Sequence, residues 1–240
     1  MHGNTGKIAD ISLAEGTVTM LNLPEDTYRS FIGGSGLGAK LFWDRADFSA
    51  DPLSPEALFI LMNGPLTGIR LSGASRMSAT ARSPLTGGLA ESSCGGYFAP
   101  ALRLAGYDGL VITGRADKPS VICIDKDIIT IEDAASLWGR GIEESTMALH
   151  GTYGKKSTSL VIGPAGENLV PFACILNEAH HAFGRCGMGA VMGSKNLKAI
   201  VVKEAKGELS LADPDRVKAM IKELTPRIRE HLISQVLHDF

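Results

Sequence analysis

The chain has 240 residues, of which 44% are hydrophobic and 21% charged, with a formal net charge of −2. It is long enough to bury a sizeable core, too apolar for a disordered tail, and without the basic excess that nucleic-acid binding needs. The opening residues 1–13 lack the features of a signal peptide, and no window approaches the roughly 18 apolar residues of a membrane span. We therefore expect a cytoplasmic protein that binds neither nucleic acids nor membranes.

The first half of the chain predicts strands and helices separated by glycine turns. Alternating apolar residues around Glu15 and Gly16 predict a hairpin, and two helical pieces follow, joined at Gly33 and Gly34. Residues 57–68 and 75–88 then predict two strands. Both end in Pro-Leu-Thr-Gly, at 65–68 and 84–87. This repeat is compatible with an internal duplication and equally with two similar hairpin ends.

The second half continues the alternation. A helix from Tyr97 to Ala105 ends at Gly106, and further elements follow: strands within 110–116 and 120–133, an interrupted helix over 134–150, two strands within 158–177, and a strand at 196–203. From residue 213 onward the chain is amphipathic, with an apolar stripe through Val217, Ile221 and Leu224 and a kink expected at Pro226. We predict an α+β domain over 1–207 and the beginning of a helical domain over 208–240.

The four cysteines and the other polar residues give no recognisable catalytic group. The cysteines at 94, 123, 174 and 186 form no Cys-x-x-Cys pair, so no zinc or iron–sulfur motif is present. We interpret Cys123 and Cys174 as buried thiols, whereas Cys94 and Cys186 each adjoin a glycine run. No Ser/His/Asp triad or carboxylate pair stands out. If the protein is an enzyme, a cofactor should supply its chemistry.

Glycine is enriched, with 28 copies among 240 residues, against an average near 7%. The densest run lies between Phe183 and Asn196. It fails the P-loop pattern, because Ser194 and Lys195 are transposed and the spacing is one residue short, and it fails the dinucleotide pattern as well. Glycine amides near Arg185 suit an anion. The alternative is a connection that packs closely on neighbouring strands. We expect His180 and His181 to lie at the surface or to support such a site rather than to bind a metal.

A second candidate lies in residues 75–98. Arg76 and Arg82 are six residues apart on one predicted strand, so both side chains should lie on the same face. That face could meet a polar ligand. It could equally be a solvated strand surface.

Six segments together carry a family resemblance. They are GPLTG at 64–68, SPLTGG at 83–88, GGYF at 95–98, AGYDGLVITGRADKP at 105–119, IGPAGENLVPFACILN at 162–177 and GAVMGSKNLKAIVV at 189–202. In this order they resemble the N-terminal domain of the tungsten-containing aldehyde ferredoxin oxidoreductases, from Gly3 to about Lys203. The resemblance implies an α+β fold of two β-sheets with helices and an internal duplication, which forms the base of a tungsten bis-pterin site.

The same resemblance implies a set of cofactor-binding residues. Two dithiolene pterins would have their phosphates bridged by magnesium, the main-chain carbonyls of Ser93 and Phe183 would help to hold that ion, and Arg76 would lie between the pterin and an iron–sulfur cluster. The full set is Arg76, Ser93, Cys94, Gly95, Gly96, Ala182, Phe183, Gly184 and Arg185. The family commonly has Asn-Ser-Gly-Gly at 93–96 and Ala-Ala at 182–183. We therefore expect Cys94 and Phe183 to alter how closely the pterin fits.

The implied activity is oxidation of an aldehyde to a carboxylic acid. Electrons would pass through tungsten, or molybdenum, and the pterin to a [4Fe–4S] cluster and then to ferredoxin. The cluster cysteines, acid/base groups and substrate pocket would lie in later helical domains, so we expect a fragment that has no catalytic residues of its own and is inactive alone. A homodimer is compatible with the family. The alternatives are a relative that reduces an acyl or aromatic thioester, and a non-catalytic module for anion or nucleotide binding or for assembly.

Overall fold

A computed structural model describes residues 2–238. Its first sheet has the strand order β2-β1-β6-β3-β4-β5. The strands are β1 (Ile8–Ser12), β2 (Thr17–Leu21), β3 (Phe59–Asn63), β4 (Met77–Arg82), β5 (Leu89–Cys94) and β6 (Gly109–Thr113). β1 pairs parallel with β6, and the other neighbours pair antiparallel. The predicted hairpin around Glu15 and Gly16 is confirmed as β1 and β2.

The second sheet repeats this topology. Its order is β11-β10-β9-β12-β7-β8, and its strands are β7 (Ser120–Asp125), β8 (Ile128–Asp133), β9 (Thr158–Val161), β10 (Ile175–Asn177), β11 (His181–Phe183) and β12 (Leu197–Val202). Read from its other edge, the second sheet has the order β8-β7-β12-β9-β10-β11, in which each strand number is six higher than at the same place in the first sheet. Its parallel pair, β7 with β12, corresponds to β1 with β6. The predicted internal duplication is therefore present in the strand topology.

Helices cover both outer faces and connect the halves. They are α1 (Glu25–Phe31), α2 (Gly34–Arg45), α3 (Phe98–Leu104), α4 (Ile142–Tyr153), α5 (Pro164–Glu167), α6 (Met188–Ser194), α7 (Pro214–Arg229) and α8 (Leu232–His238), with one 3₁₀ turn at Ala135–Leu137. Three apolar clusters separate the layers. One joins the two sheets, one lies between the first sheet and α1 and α2, and one lies between the second sheet and α4.

The two short helices α3 and α6 each pack on the sheet of the other half of the chain, where a half is one sheet with its helices. α3 follows β5 of the first sheet but contacts β9 and β12 of the second, whereas α6 follows β11 of the second sheet and contacts β4 of the first as well as β12. The strands β5 and β11, and helix α6, were not predicted from the sequence. The Pro-Leu-Thr-Gly repeat proves to be two successive strand ends in the first sheet, after β3 and after β4, so it is not a trace of the duplication.

The C-terminal helices make few contacts with the rest of the chain. α7 has no buried residue, continues through Pro226 to Arg229, and leaves its stripe of Val217, Ile221 and Leu224 half-exposed. The boundary near residue 208 stays a prediction, and residues 239 and 240 of the predicted second domain lie outside the described residues. Among the helices of residues 2–238, none has both the length and the apolar character needed to cross a membrane.

A buried ion pair fixes residues 5 and 6 near the start of the chain against the first sheet. The Arg103 guanidinium in α3 pairs with Asp108, which precedes β6, and both are almost fully buried. Arg103 also donates to the Gly64 carbonyl oxygen at 2.9 Å. The Asp108 carboxylate accepts three more hydrogen bonds, from the amides of Thr5 and Gly6 and the hydroxyl of Tyr28. Burial, with Asp108 adding to it, raises the pKa of Tyr28, which therefore remains a donor.

Lys195 anchors the start of β12 in the protein interior. It is fully buried, and its Nζ donates to the carbonyl oxygens of Pro55 at 3.2 Å and Gly114 at 3.4 Å. Burial, reinforced by the nearby Arg115, lowers the pKa of Lys195 to about 8. The lysine of the Gly-Ser-Lys sequence is thus a structural link between the two halves.

Replacing Arg103 by Met should destabilise the fold strongly, because it leaves the Asp108 charge buried without its cation. We expect the free energy of unfolding to fall by about 3–5 kcal/mol, measured by urea denaturation with an unchanged m-value. Lys7→Met is the control, since it breaks the exposed Lys7–Asp127 pair and should leave the midpoint nearly unchanged. Equal midpoints for the two variants would contradict the structural role of Arg103.

Lys195 should also give a distinct pH dependence of stability. Between about pH 8 and the ordinary lysine pKa of about 10.4, the folded state releases this proton while the unfolded state keeps it. The unfolding free energy should therefore rise with pH across that window, by up to about 1.4 kcal/mol per pH unit. Lys195→Met lacks this titration. From pH 8 to 10, the unfolding free energy of wild type should therefore rise relative to that of Lys195→Met. Parallel curves of unfolding free energy against pH would show that Lys195 titrates normally.

Candidate functional site

The candidate site lies where the two sheets meet edge to edge. β5 is the edge strand of the first sheet and β11 that of the second, and they contact each other. The amide of Arg185 donates to the Ser92 hydroxyl at 3.4 Å, and the Cys186 thiol donates to the Glu91 carbonyl at 3.5 Å. Each strand leads through a glycine-containing turn into its short helix. The duplication therefore brings two equivalent strand-to-helix turns side by side.

The turn after β5 has no room for a side chain at its second glycine. Gly96 has φ +90°, and a Cβ there would lie 2.5 Å from Asn177 Nδ2 and 2.7 Å from His181 Cδ2. Asn177 Nδ2 also donates to the Gly95 carbonyl at 2.8 Å. Asn177 and His181 of the second half thus pack directly on the Gly95–Gly96 turn. Asn177 was missed from the sequence, because nothing in its neighbourhood indicates a contact with a residue 82 positions away.

Arg76 lies at the same turn, but Arg82 does not. The Arg76 side chain is exposed, and its Nη2 donates to the Ser93 carbonyl at 3.1 Å. Arg82 instead donates to the backbone, to the carbonyl oxygens of Phe48, Ala50 and Gly87. Thr80 lies on β4 between the two arginines, and α2 packs directly on it. A Cβ at Gly38 of α2 would lie 2.5 Å from the Thr80 hydroxyl, so the strand face between the arginines is covered. Of the two arginines, only Arg76 therefore remains with the candidate site.

The two residues that depart from the family sequence are directed into the core. The side chains of Cys94 and Phe183 are buried in the cluster between the sheets. Burial raises the pKa of Cys94 to about 11 although Arg76 opposes the shift, so its thiol stays neutral. Any effect of these side chains on how closely the pterin fits would act through packing in the core, and it stays a prediction. Only their main chain can face the site, together with the exposed residues Ala182, Gly184 and Arg185.

The glycine-rich run divides into two parts. Gly187, Gly189 and Gly193 serve packing, since a Cβ at each would lie 2.0–2.4 Å from the carbonyl oxygens of Pro171, Cys174 and Gly166, respectively. These contacts place α6 directly on the loop between β9 and β10. Around Gly184, by contrast, a Cβ would meet only the Ala182 Cβ, at 3.9 Å. Residues 187–193 therefore form the close-packed connection that was the alternative interpretation. Residues 182–185 remain candidates for binding a ligand.

The residues at this junction fit an anionic, phosphate-bearing group. Arg76 and Arg185 are both exposed there, against one exposed carboxylate, Glu91, which accepts from the Ser93 hydroxyl at 2.7 Å. Asn177 Oδ1 is buried and has no hydrogen-bond partner within the described residues. Across residues 2–238, no three His, Cys, Asp or Glu side chains cluster as a metal site. The carbonyls of Ser93 and Phe183 stay predicted magnesium ligands, and Ser93 keeps a second lone pair beside its bond from Arg76.

Known proteins resemble most of the chain. Residues 8–204 match the family model of the aldehyde ferredoxin oxidoreductase N-terminal domain. The tungsten-containing aldehyde ferredoxin oxidoreductases of Pyrococcus furiosus and Thermococcus kodakarensis are each 39% identical over 230 residues, which is 95% of this chain and 38% of theirs. The aliphatic sulfonate oxidoreductase WOR-like subunit of Pyrococcus furiosus is 34% identical over 239 residues. The chain spans about 38% of the length of these curated relatives.

The fold is also found in a solved structure. The active site complex BamBC of benzoyl coenzyme A reductase, in complex with 1,5-dienoyl-CoA, superposes with a TM-score of 0.91 and 32% sequence identity. The match covers 95% of this chain and 35% of that one. This likeness confirms the predicted α+β fold of two sheets with helices.

Gly96→Ala should disturb the site, because a methyl group would collide with Asn177 and His181 in a backbone conformation that L-residues rarely adopt. We expect a loss of about 2–4 kcal/mol of stability, measured by thermal or urea unfolding. Gly184→Ala is the matched control, with open space around its Cβ, and should change stability by less than about 1 kcal/mol. Comparable losses in both variants would contradict the close packing at Gly96.

Proposed function

Because the chain belongs to the aldehyde ferredoxin oxidoreductase family through its N-terminal domain, we propose that it is the cofactor-binding part of an oxidoreductase. The ligand of the site would be a tungsten bis-pterin, or its molybdenum counterpart, bound through its phosphates. The observation that carries this proposal is the meeting of the two glycine turns, where the exposed Arg76 guanidinium donates to the Ser93 carbonyl and the Arg185 amide donates to the Ser92 hydroxyl. An exposed guanidinium beside glycine main chain suits an anionic, phosphate-bearing group.

The residues of this chain would bind and orient that group. The Arg76 guanidinium, fixed by its bond to the Ser93 carbonyl, would give the pterin charge-assisted hydrogen bonds. Arg185 would approach from the other half. The carbonyls of Ser93 and Phe183 would hold the bridging magnesium, and the main chain at Cys94–Gly96 and Ala182–Gly184 would contact the phosphates. When bound, the cofactor supplies the redox chemistry, and the protein supplies position and charge.

The whole protein would oxidise an aldehyde to its carboxylic acid and pass the electrons through a [4Fe–4S] cluster to ferredoxin in the cytoplasm. The names of the relatives support the aldehyde and ferredoxin assignments. The cluster ligands and catalytic acid/base groups would lie outside residues 1–240, so we expect these residues alone to show no turnover. A homodimer is a compatible assembly.

The second candidate is reduction of an aromatic or acyl thioester. It is favoured by the 0.91 TM-score with the benzoyl coenzyme A reductase complex. The third alternative, a non-catalytic nucleotide-binding or assembly module, is weakened by the burial of Lys195 and by the packing of Gly187–Gly193 on backbone. A nucleotide site would need that lysine and those amides free.

Arg76→Ala in the intact protein tests the binding role. We expect metal and pterin content to fall, since loss of one charge-assisted hydrogen bond worth about 1.5–3 kcal/mol weakens retention roughly 10- to 100-fold. Metal is measured by mass spectrometry and pterin by fluorescence after oxidation. Arg29→Ala, which removes an exposed arginine of α1, is the control. Normal metal content, pterin content and turnover in Arg76→Ala would refute the role.

Substrate assays on the same preparations separate the candidate functions. Aldehyde-dependent reduction of ferredoxin supports the first, and reduction of benzoyl-CoA by reduced ferredoxin supports the second. Thermal stabilisation by ATP or NAD, in a protein that contains no metal or pterin, would instead support the non-catalytic module.

A further inference from the structure

The turn between β10 and β11 has a strained backbone. Its central residues Glu178 and Ala179 have φ +52° and +59°, and the His180 amide donates to the Asn177 carbonyl at 3.2 Å. Two successive central residues with positive φ are typical of type I′ turns, which favour Asn and Gly at these positions because both adopt positive φ readily. A Glu-Ala pair at these positions is unfavourable for the local backbone. Contacts outside the turn must therefore hold it in this conformation.

Those contacts are made by the Glu178 carboxylate. Oε1 accepts from the amide and the hydroxyl of Ser159 in β9, at 2.6 and 3.0 Å, and Oε2 lies 2.8 Å from Nε2 of His150 in the last turn of α4. The Glu178 side chain is 14% exposed, so water screens these bonds only weakly. We call this group, Glu178 with Ser159 and His150, the Glu178 clasp.

The clasp is not part of a hydrolytic triad, although Glu178, His150 and a further serine, Ser157, follow one another in a chain of hydrogen bonds. His150 Nδ1 lies 3.3 Å from the hydroxyl of Ser157. That hydroxyl donates to the Gly154 carbonyl at 2.7 Å, and Ser157 is buried at 3% exposure. Ser157 therefore cannot reach a substrate, and the chain of hydrogen bonds serves to fix His150.

The clasp acts on the candidate site through the two ends of the turn. Asn177 precedes the turn and His181 follows it, and the two are paired in the β10–β11 ladder. Both lie against Gly96, and Asn177 holds the Gly95 carbonyl. We propose that Glu178 is a positioning residue, which through the strained turn holds Asn177 and His181 against the Gly95–Gly96 turn. What the site binds rests on the proposed function, whereas the positioning role does not.

Two variants of the intact protein separate the clasp from the strain. Glu178→Ala removes the carboxylate but keeps a side chain at positive φ, so the turn loses its support and keeps its strain. Hydrogen exchange of peptides spanning 175–183 and 92–98 should become at least tenfold faster, and the protein should retain less pterin and metal. Adding Ala179→Gly relieves the strain at the second central position. Compared with Glu178→Ala, this double variant should regain most of the protection from hydrogen exchange in both peptides, and it should retain most of the pterin and metal.

Glu132→Gln is the matched control. Glu132 is also a half-buried carboxylate of the second sheet, where it accepts from Tyr153 and Thr130, and its loss should leave both peptides unchanged. Unchanged exchange in Glu178→Ala, or faster exchange at 175–183 alone, would overturn the positioning role. Failure of Ala179→Gly to restore protection would overturn it as well, because strain would then not be what the clasp opposes. If wild type itself binds no pterin, the proposed ligand fails, and the exchange measurements still decide the role of Glu178.

Discussion

The constraint on which the rest of the structure depends is the exchange of helices between the two halves. α3 follows the first sheet and packs on β9 and β12 of the second, and α6 follows the second sheet and packs on β4 of the first as well as on β12. One apolar cluster therefore contains residues of both sheets, including Phe59 and Ile200, and each inner face is covered by the other half. Because each helix begins just after an edge strand, the exchange also forces the turns before α3 and α6 to lie together. The candidate site follows from the way the core is closed.

The duplicated topology is used asymmetrically at that junction. The first turn is two glycines long, and Gly96 leaves space that Asn177 and His181 of the other half fill. The second turn carries Arg185, and the helix after it needs glycines to approach the β9–β10 loop, whereas α3 contains none. Equivalent backbone positions have thus been divided between two tasks. The first turn is packed against Asn177 and His181 of the other half, and the second leads into a helix that packs closely on the β9–β10 loop.

The sequence predicted the elements whose signals are local. The β1–β2 hairpin, the break at Gly33–Gly34 and the interrupted helix around Gly139 depend on residues that are neighbours in the chain. β5 was missed because Ala-Glu-Ser-Ser has no β-branched residue, and its strand conformation depends on pairing with β4. The motifs indicated Arg76, Ser93 and Gly96 as site residues, and the structure brings the three together at one turn. They could not give the inward direction of Cys94 and Phe183 or the contact of Asn177, since these depend on packing between the sheets.

Each half also neutralises its interior charges in the same way. Arg103 pairs with Asp108 and holds the Gly64 carbonyl after β3, while Lys198 pairs with Glu167, which lies in α5 after β9 and accepts from the Gly139 amide. Buried pairs of this kind contribute little net stability, and their value lies in fixing the irregular segments around them. Arg76 differs from these buried residues, because it is exposed and forms no ion pair within residues 2–238. Its guanidinium is held beside the Gly95–Gly96 turn by the Ser93 carbonyl, and its remaining N–H groups are donors that the proposed anionic ligand could accept.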